Sequence, residues 1–207
     1  MPKIVNHDEY RKELIARCMD LFGRKGYDNV TMREIAAELD VSTGTLYHYF
    51  PTKQSLFEQM FEQERRVDVE EALRGMNGIA ALRERLERLN VHWGDRKEYY
   101  QNVLLLAIDF FRSNGAVPDQ KVLVSFSEYY RKAMSESLEI PLPEASLLFI
   151  FVIGLMYHSL LGPAGVDFNE QLELMRDILT SYHSEKKDGS MSPSPLRGEG
   201  RGGGEKA

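Results

Sequence analysis

Only one cysteine occurs in the sequence, Cys18, so no disulfide can close within the chain, and such usage fits a reducing compartment. Lying four residues after Leu14 and four before Phe22, Cys18 falls on an apolar helical stripe, where a thiol packs rather than reacts. Catalytic patterns are missing as well: no Walker loop, no GxSxG elbow, no HExxH and no paired cysteine ligands. His92, His158 and His183 read as lone helical histidines. An enzyme would therefore have no nucleophile, base or metal constellation to work with, and no catalytic residue, metal or cofactor is assigned. No stretch of the second half shows strand-like alternation or a hairpin turn, which makes an all-α chain the expectation. Nor is there a long hydrophobic run: Leu147 to Leu161 is the most apolar segment, and it falls short of the about 20 residues that cross a bilayer. Gly154 and His158 interrupt it, so a buried or subunit-interface helix is expected and no membrane partner. The opening MPKIVNHDEY has no apolar segment after a basic region, so no secretory leader is read and a cytoplasmic protein is expected.

Acidic residues are unevenly spread. The net charge is −6 over 207 residues, with 43% hydrophobic content, ordinary for a globular protein. Up to Gln54 there are eight basic and eight acidic residues, and the remainder holds 18 and 24, so the whole excess lies beyond the head. Between Val41 and Phe57 there is no Asp or Glu at all. A polyanion approaching that stretch meets no local like-charge repulsion, while an acidic body discourages unspecific sticking elsewhere.

That acid-free stretch overlaps TMREIAAELDVSTGTLYHYF, Thr31 to Phe50, which reads as helix, turn, helix. Thr31 followed three residues later by Glu34 is a capping box. Ile35, Ala36 and Leu39 form the inward face, with Ala36 and Ala37 small enough for a second helix to come close. Asp40 and Val41 make the turn, Ser42 caps the second helix, and Leu46 and Phe50 supply its buried side. Thr43, Gly44, Tyr47 and His48 face outward. By composition alone such a polar face is more often solvated surface than binding surface, although its hydroxyls and lack of carboxylates suit a polyanion.

From Leu14 to Phe57, LIARCMDLFGRKGYDNVTMREIAAELDVSTGTLYHYFPTKQSLF resembles the DNA-binding region of the tetracycline-repressor (TetR) family. The resemblance implies an all-α fold, with a three-helix head followed by a helical ligand-binding and dimerisation body. It further implies that Thr43, Gly44, Thr45, Tyr47 and His48 face the major groove, that Arg33 reaches it from the preceding helix, and that Thr31, Ser42, Tyr49 and Lys53 hold phosphates. On this reading residues 1–52 are the head, 53–184 the effector-binding and dimerisation domain, and 185–207 a disordered tail rich in glycine, serine and charge.

Along the chain, Asp8 to Arg24 is expected to form the first helix, with Leu14, Ile15, Cys18, Leu21 and Phe22 inward, Gly26 as its left-handed cap and Tyr27 packing back. Thr52 caps a fourth helix beginning at Lys53, whose apolar side is expected to run through Leu56, Phe57, Met60 and Phe61 to Val67 and Leu73. Gly75 and Gly78 interrupt the pattern. Further helices are expected over Ile79 to Trp93, with GDRK as a turn; over Tyr99 to Ser113, ended by Asn114 and Gly115; from Pro118 and Asp119 to Leu138; through the apolar run; and over Asp167 to His183. The resemblance assigns the last two to a homodimer interface, where Gly154 permits close crossing. The aromatic residues of the body read mostly as core, with some able to line a cavity for an apolar or aromatic effector. The expected function is a DNA-binding transcriptional regulator, a repressor that binds a palindromic double-stranded operator and is released by a small molecule. A small-molecule binder without DNA affinity and an enzyme are the rival classes.

Overall fold

The computed structural model describes residues 7–113, 121–162 and 165–187. The helix end expected at Asn114 and Gly115, the helix start expected at Pro118 and Asp119, and the tail from 188 onward lie outside them. Among the described residues there are nine helices and no strand, as the patterning predicts: α1 His7–Lys25, α2 Met32–Glu38, α3 Thr43–Tyr49, α4 Lys53–Arg74, α5 Leu82–Asp95, α6 Lys97–Ser113, α7 Lys121–Leu138, α8 Leu142–Leu160 and α9 Phe168–Lys187.

The head forms where local signals agree. Leu14, Ile15, Cys18, Leu21 and Phe22 are all buried, and burial pushes the Cys18 thiol up to about 12, so it is inert packing. Gly26 closes α1 with a φ of +79°, and a Cβ there would meet Asp109 Oδ2 at 2.9 Å. Only glycine satisfies both demands, because the same carboxylate accepts from the Tyr27 amide at 2.5 Å and ties the head to α6. The capping box of α2 is complete: Glu34 N donates to Thr31 Oγ1 at 3.3 Å, and Thr31 N donates to Glu34 Oε2 at 2.8 Å. That backbone bond, with the Thr31 hydroxyl second, holds the Glu34 carboxyl below its ordinary pKa. Its stabilising contribution is thus present above the unfolded pKa and lost as pH falls through the lowered one. Thr31→Ala is expected to cost about 1 kcal/mol in urea unfolding; a midpoint unmoved in repeat titrations would show the box to be idle. At the other end of α2, Arg17 of α1 donates to the carbonyls of Leu39 and Glu38 at 3.0 and 3.1 Å, where a cation offsets the helix dipole. Asp40 then takes a φ of +56° and turns the chain into α3.

The head is not a separate core. Phe57 of α4 stacks on Phe110 of α6 at 4.5 Å between ring centroids, and Tyr27 meets both rings edge-on. Val103, Leu106 and Phe110 thereby belong to the head's apolar cluster, and a second cluster joins α5, α7, α8 and α9 around Leu86, Trp93, Leu148 and Leu172. α4 spans both.

Several element expectations change. Ala37 is exposed, so Ala36 alone supports the close approach of α2. α5 starts at Leu82, not Ile79, because Ile79 folds back onto Met76 and its carbonyl accepts from Arg85 at 2.6 Å. GDRK is not a turn: Gly94 and Asp95 end α5, and the single residue Arg96 leads into α6. α9 continues three residues into the expected tail, with Lys186 donating to Glu144 at 2.9 Å. α8 is longer than the 15-residue apolar run because Leu142 to Ser146 add a first turn with Pro143 near its start, where an amide is not needed. By length and composition α8 would suffice to cross a membrane. One of its faces is nonetheless packed against α6, α7 and α9, with Glu144 bonded to His183 and Lys186.

Candidate nucleic-acid interface and the carboxylate cluster behind it

α3 is held at both ends and from below. Ser42 Oγ accepts from Thr45 N at 3.0 Å, Phe50 N closes onto Leu46 O, and Leu46 and Phe50 are wholly buried. Its other side is left to solvent: Gly44 and His48 are exposed, Tyr47 is 48% exposed, and Thr43 and Thr45 are partly so. Arg33 is exposed on α2. The bonds of the remaining predicted residues qualify what each can offer. The hydroxyls of Ser42 and Thr45 lie 2.8 Å apart; one proton joins them and the other is left for an outside acceptor. Thr31 Oγ1 donates to Glu34 Oε2 at 2.8 Å and reaches a phosphate only by turning away from that carboxylate. Tyr49 is half-buried, with its hydroxyl 2.7 Å from His7 Nδ1, a partner outside the acid-free stretch. Lys53 donates to the Tyr27 carbonyl at 2.9 Å with its ammonium 4.2 Å from the Tyr27 ring centre, which fixes it beside the N-terminus of α4 and leaves further N–H donors.

Behind the head lies a cluster that periodicity misses. The inward face of α4 passes through Glu64 and Asp68, and Val67, expected inside, is 39% exposed. Asp68 is 1% exposed. Its carboxylate accepts from Tyr100 at 2.7 and 2.8 Å and from Tyr130 at 2.9 Å, and it lies 3.2 Å from His92 Nε2 and 3.3 Å from Arg96 Nε. Arg96 also pairs with Glu71 at 2.7 Å and lies over the Tyr99 ring, while Tyr99 donates to Glu64. Burial raises the pKa of Glu64, Tyr99, Tyr100 and Tyr130, so the phenols stay protonated and donate. His92 and His183 are therefore not lone histidines; each faces a buried carboxylate, Asp68 and Glu144. The available signal was a run of acids at positions 64, 68 and 71, helically spaced on the face that continues from Phe57 and Phe61. Among the described residues no group of three or more His, Cys, Asp or Glu side chains could hold a metal ion.

Residues 14–60 match the family model for bacterial regulatory proteins, tetR family. The chain is 23% identical over 193 residues, 87% of its length, to YerO, an uncharacterised HTH-type transcriptional regulator of Bacillus subtilis (strain 168). It is 39% identical over 56 residues, 27% of its length, to the HTH-type transcriptional repressor KstR of Rhodococcus jostii (strain RHA1). The matches span 64% and 26% of those relatives' own lengths. Its fold is similar to that of the transcriptional regulator FadR from Bacillus subtilis in complex with stearoyl-CoA, with a TM-score of 0.62 at 14% identity over 82% of this chain and 97% of that one. The relatives matched here are regulators of transcription rather than enzymes. Residues 14–60 thus match the tetR family of bacterial regulatory proteins, and the helices that follow share the architecture of the solved regulator.

Proposed function

We propose that this regulator is a repressor that binds a palindromic operator as a homodimer and is released by a small molecule. The observation that carries the reading is the exposed, acid-free face of a rigidly capped α3, on a chain whose charge excess is otherwise negative. Residues 1–52 would form the DNA-binding head and 53–184 the effector-binding and dimerisation domain. In the head, Thr43, Gly44, Thr45, Tyr47 and His48 read base edges, Arg33 assists from α2, and Thr31, Ser42, Tyr49 and Lys53 position the phosphates.

The dimer is supported by an apolar stripe. Leu147, Ile150 and Tyr157 of α8 and Leu161 just after its end are exposed in steps of three, seven and four, with Gly154 between, and Leu174 and Ile178 are exposed on α9. A Cβ on Gly154 would touch nothing in its own chain, so no intrachain contact explains a residue that costs a helix about 0.5–1 kcal/mol; close crossing of a second α8 does. Two heads so joined would present their α3 helices to successive major grooves, about 34–36 Å apart. FadR with its bound stearoyl-CoA supports an effector for this chain too. An effector that shifts α5, α6 or α7 against α4 would act through the Asp68 cluster, with a coupling of about 1–3 kcal/mol.

The test is titration of the protein's own upstream intergenic DNA at controlled salt. Tyr47→Ala and His48→Ala are each expected to weaken specific binding by about 1–3 kcal/mol, while Lys53→Ala weakens binding to every sequence and lowers the salt slope by about one. Unchanged binding in all three variants, with the fold intact by circular dichroism, would remove the contact assignment.

A further inference from the structure

A cleft of about 800 Å³ opens between α5, α8 and the start of α9, on the side of α5 away from Asp68. Its volume is that of a ligand site, and it lies apart from the head. Leu155, Phe168 and Leu172 line its floor and are buried. Asp95, Asp167 and Glu173 stand around it against Lys97 and the imidazole of His158. Asp167 is occupied in part, its Oδ1 accepting from Glu170 N at 2.9 Å at the N-terminus of α9. The field of the cleft therefore favours positive charge, and the chain already places one there: the Lys97 ammonium rests 4.9 Å from the centre of the Phe168 ring.

We propose that this cleft binds a small organic cation carrying an apolar chain. The apolar part lies on Leu155, Phe168 and Leu172, and the cationic group sits among Asp95 and Glu173. An organic cation fits better than a metal ion, since the carboxylates do not converge on one point. The inference rests on the reading that a small molecule controls this protein, and it supplies the path. Asn90, Val91, Gly94 and Asp95 face the cleft, while His92 of α5 and Arg96 just after its end hold Asp68 of α4. α5 is also closely packed at the cleft: a Cβ on Gly94 would lie 3.3 Å from Asn169 Oδ1 of α9. A ligand wedged between α5 and α9 thus acts on the helix that anchors α4, and α4 carries the head.

The probes are n-decylamine and n-decanoate, equal in chain length and opposite in charge, titrated into the full-length protein by calorimetry below the concentrations at which they form micelles. Saturable binding of one n-decylamine per chain is expected, with n-decanoate at least tenfold weaker. The double variant Asp95→Asn, Glu173→Gln is expected to lose at least tenfold for the amine, and Val91→Trp, which fills the cleft from an exposed position, to abolish binding. Equal or tighter binding of n-decanoate would overturn the charge assignment, and n-decylamine binding that survives Val91→Trp would overturn the site. Operator titrations with n-decylamine separate this from the broader reading. Binding at the cleft that leaves operator affinity unchanged upholds the site and refutes effector control through it. Release of the operator by other apolar compounds, without n-decylamine binding, upholds effector control and refutes the site.

Discussion

Ile150→Arg is expected to convert the proposed homodimer to monomer at micromolar concentration and to weaken operator binding by more than 100-fold. Ile150 is 65% exposed in the single chain, near the middle of the α8 stripe and one turn from Gly154, so the substitution removes little intrachain packing. In an isologous interface each residue near the axis meets its own copy or a close neighbour, and a single Arg therefore places two desolvated guanidinium groups together. Each monomer would then grip one half-site with the contacts of one head, losing the gain that comes from tethering two heads at the groove repeat. Sedimentation velocity reads the first effect and fluorescence anisotropy on a palindromic fragment the second. Circular dichroism of the variant should match the wild type. A variant that still sediments as a dimer would eliminate the α8 stripe as the interface, and a monomeric variant with full operator affinity would show that pairing is not needed for DNA binding.

Asp68→Ala is expected to destabilise the chain by about 3–5 kcal/mol, the range found when one partner of a buried charge network is removed. The substitution strands Tyr100 and Tyr130, whose hydroxyls lie within 2.9 Å of the carboxylate, and leaves Arg96 without one of its two acidic partners. For a chain of this length each kcal/mol moves the melting temperature by about 2–4 °C, so a drop of about 6–20 °C should be seen at fixed protein concentration. Asp68→Asn keeps an acceptor and the volume and should lose less. A melting temperature within about 2 °C of wild type for Asp68→Ala would mean that water replaces the carboxylate at little cost and that the cluster does not anchor α4. The larger consequence concerns control. The head end of α4 is held by ring packing, Phe57 and Phe61 against Phe110 and Phe126. Its body end is held by hydrogen bonds that could be exchanged for others. A helix fixed at one end by shape and at the other by replaceable polar contacts can transmit a change made in the body to the head.

The two halves of the chain differed in how much could be read from the residues. Thr31 with Glu34, Ser42, Thr52 and Gly26 each ends or starts a helix where expected, because a cap satisfies its own backbone within three or four residues. The stripe from Leu14 to Phe22 is buried as its spacing predicts. α4 was misread for the opposite reason. A search for apolar residues selects Val67 over Asp68, and nothing within one turn of Asp68 signals that tyrosines of α6 and α7, a histidine of α5 and the arginine between α5 and α6 will surround it. The same holds for His183, whose partner Glu144 is 39 residues away.

By itself the sequence determined the class of the fold, the capped helix-turn-helix and the acid-free face of α3, all of which follow from interactions closed within a few residues or from composition. The tertiary structure alone decided which carboxylates are buried, which face of α8 is left uncovered, that the head shares its core with α6, and that a cleft lies behind α5. These depend on contacts between distant segments, and burial turns an Asp that would be surface charge on an isolated helix into the anchor of α4.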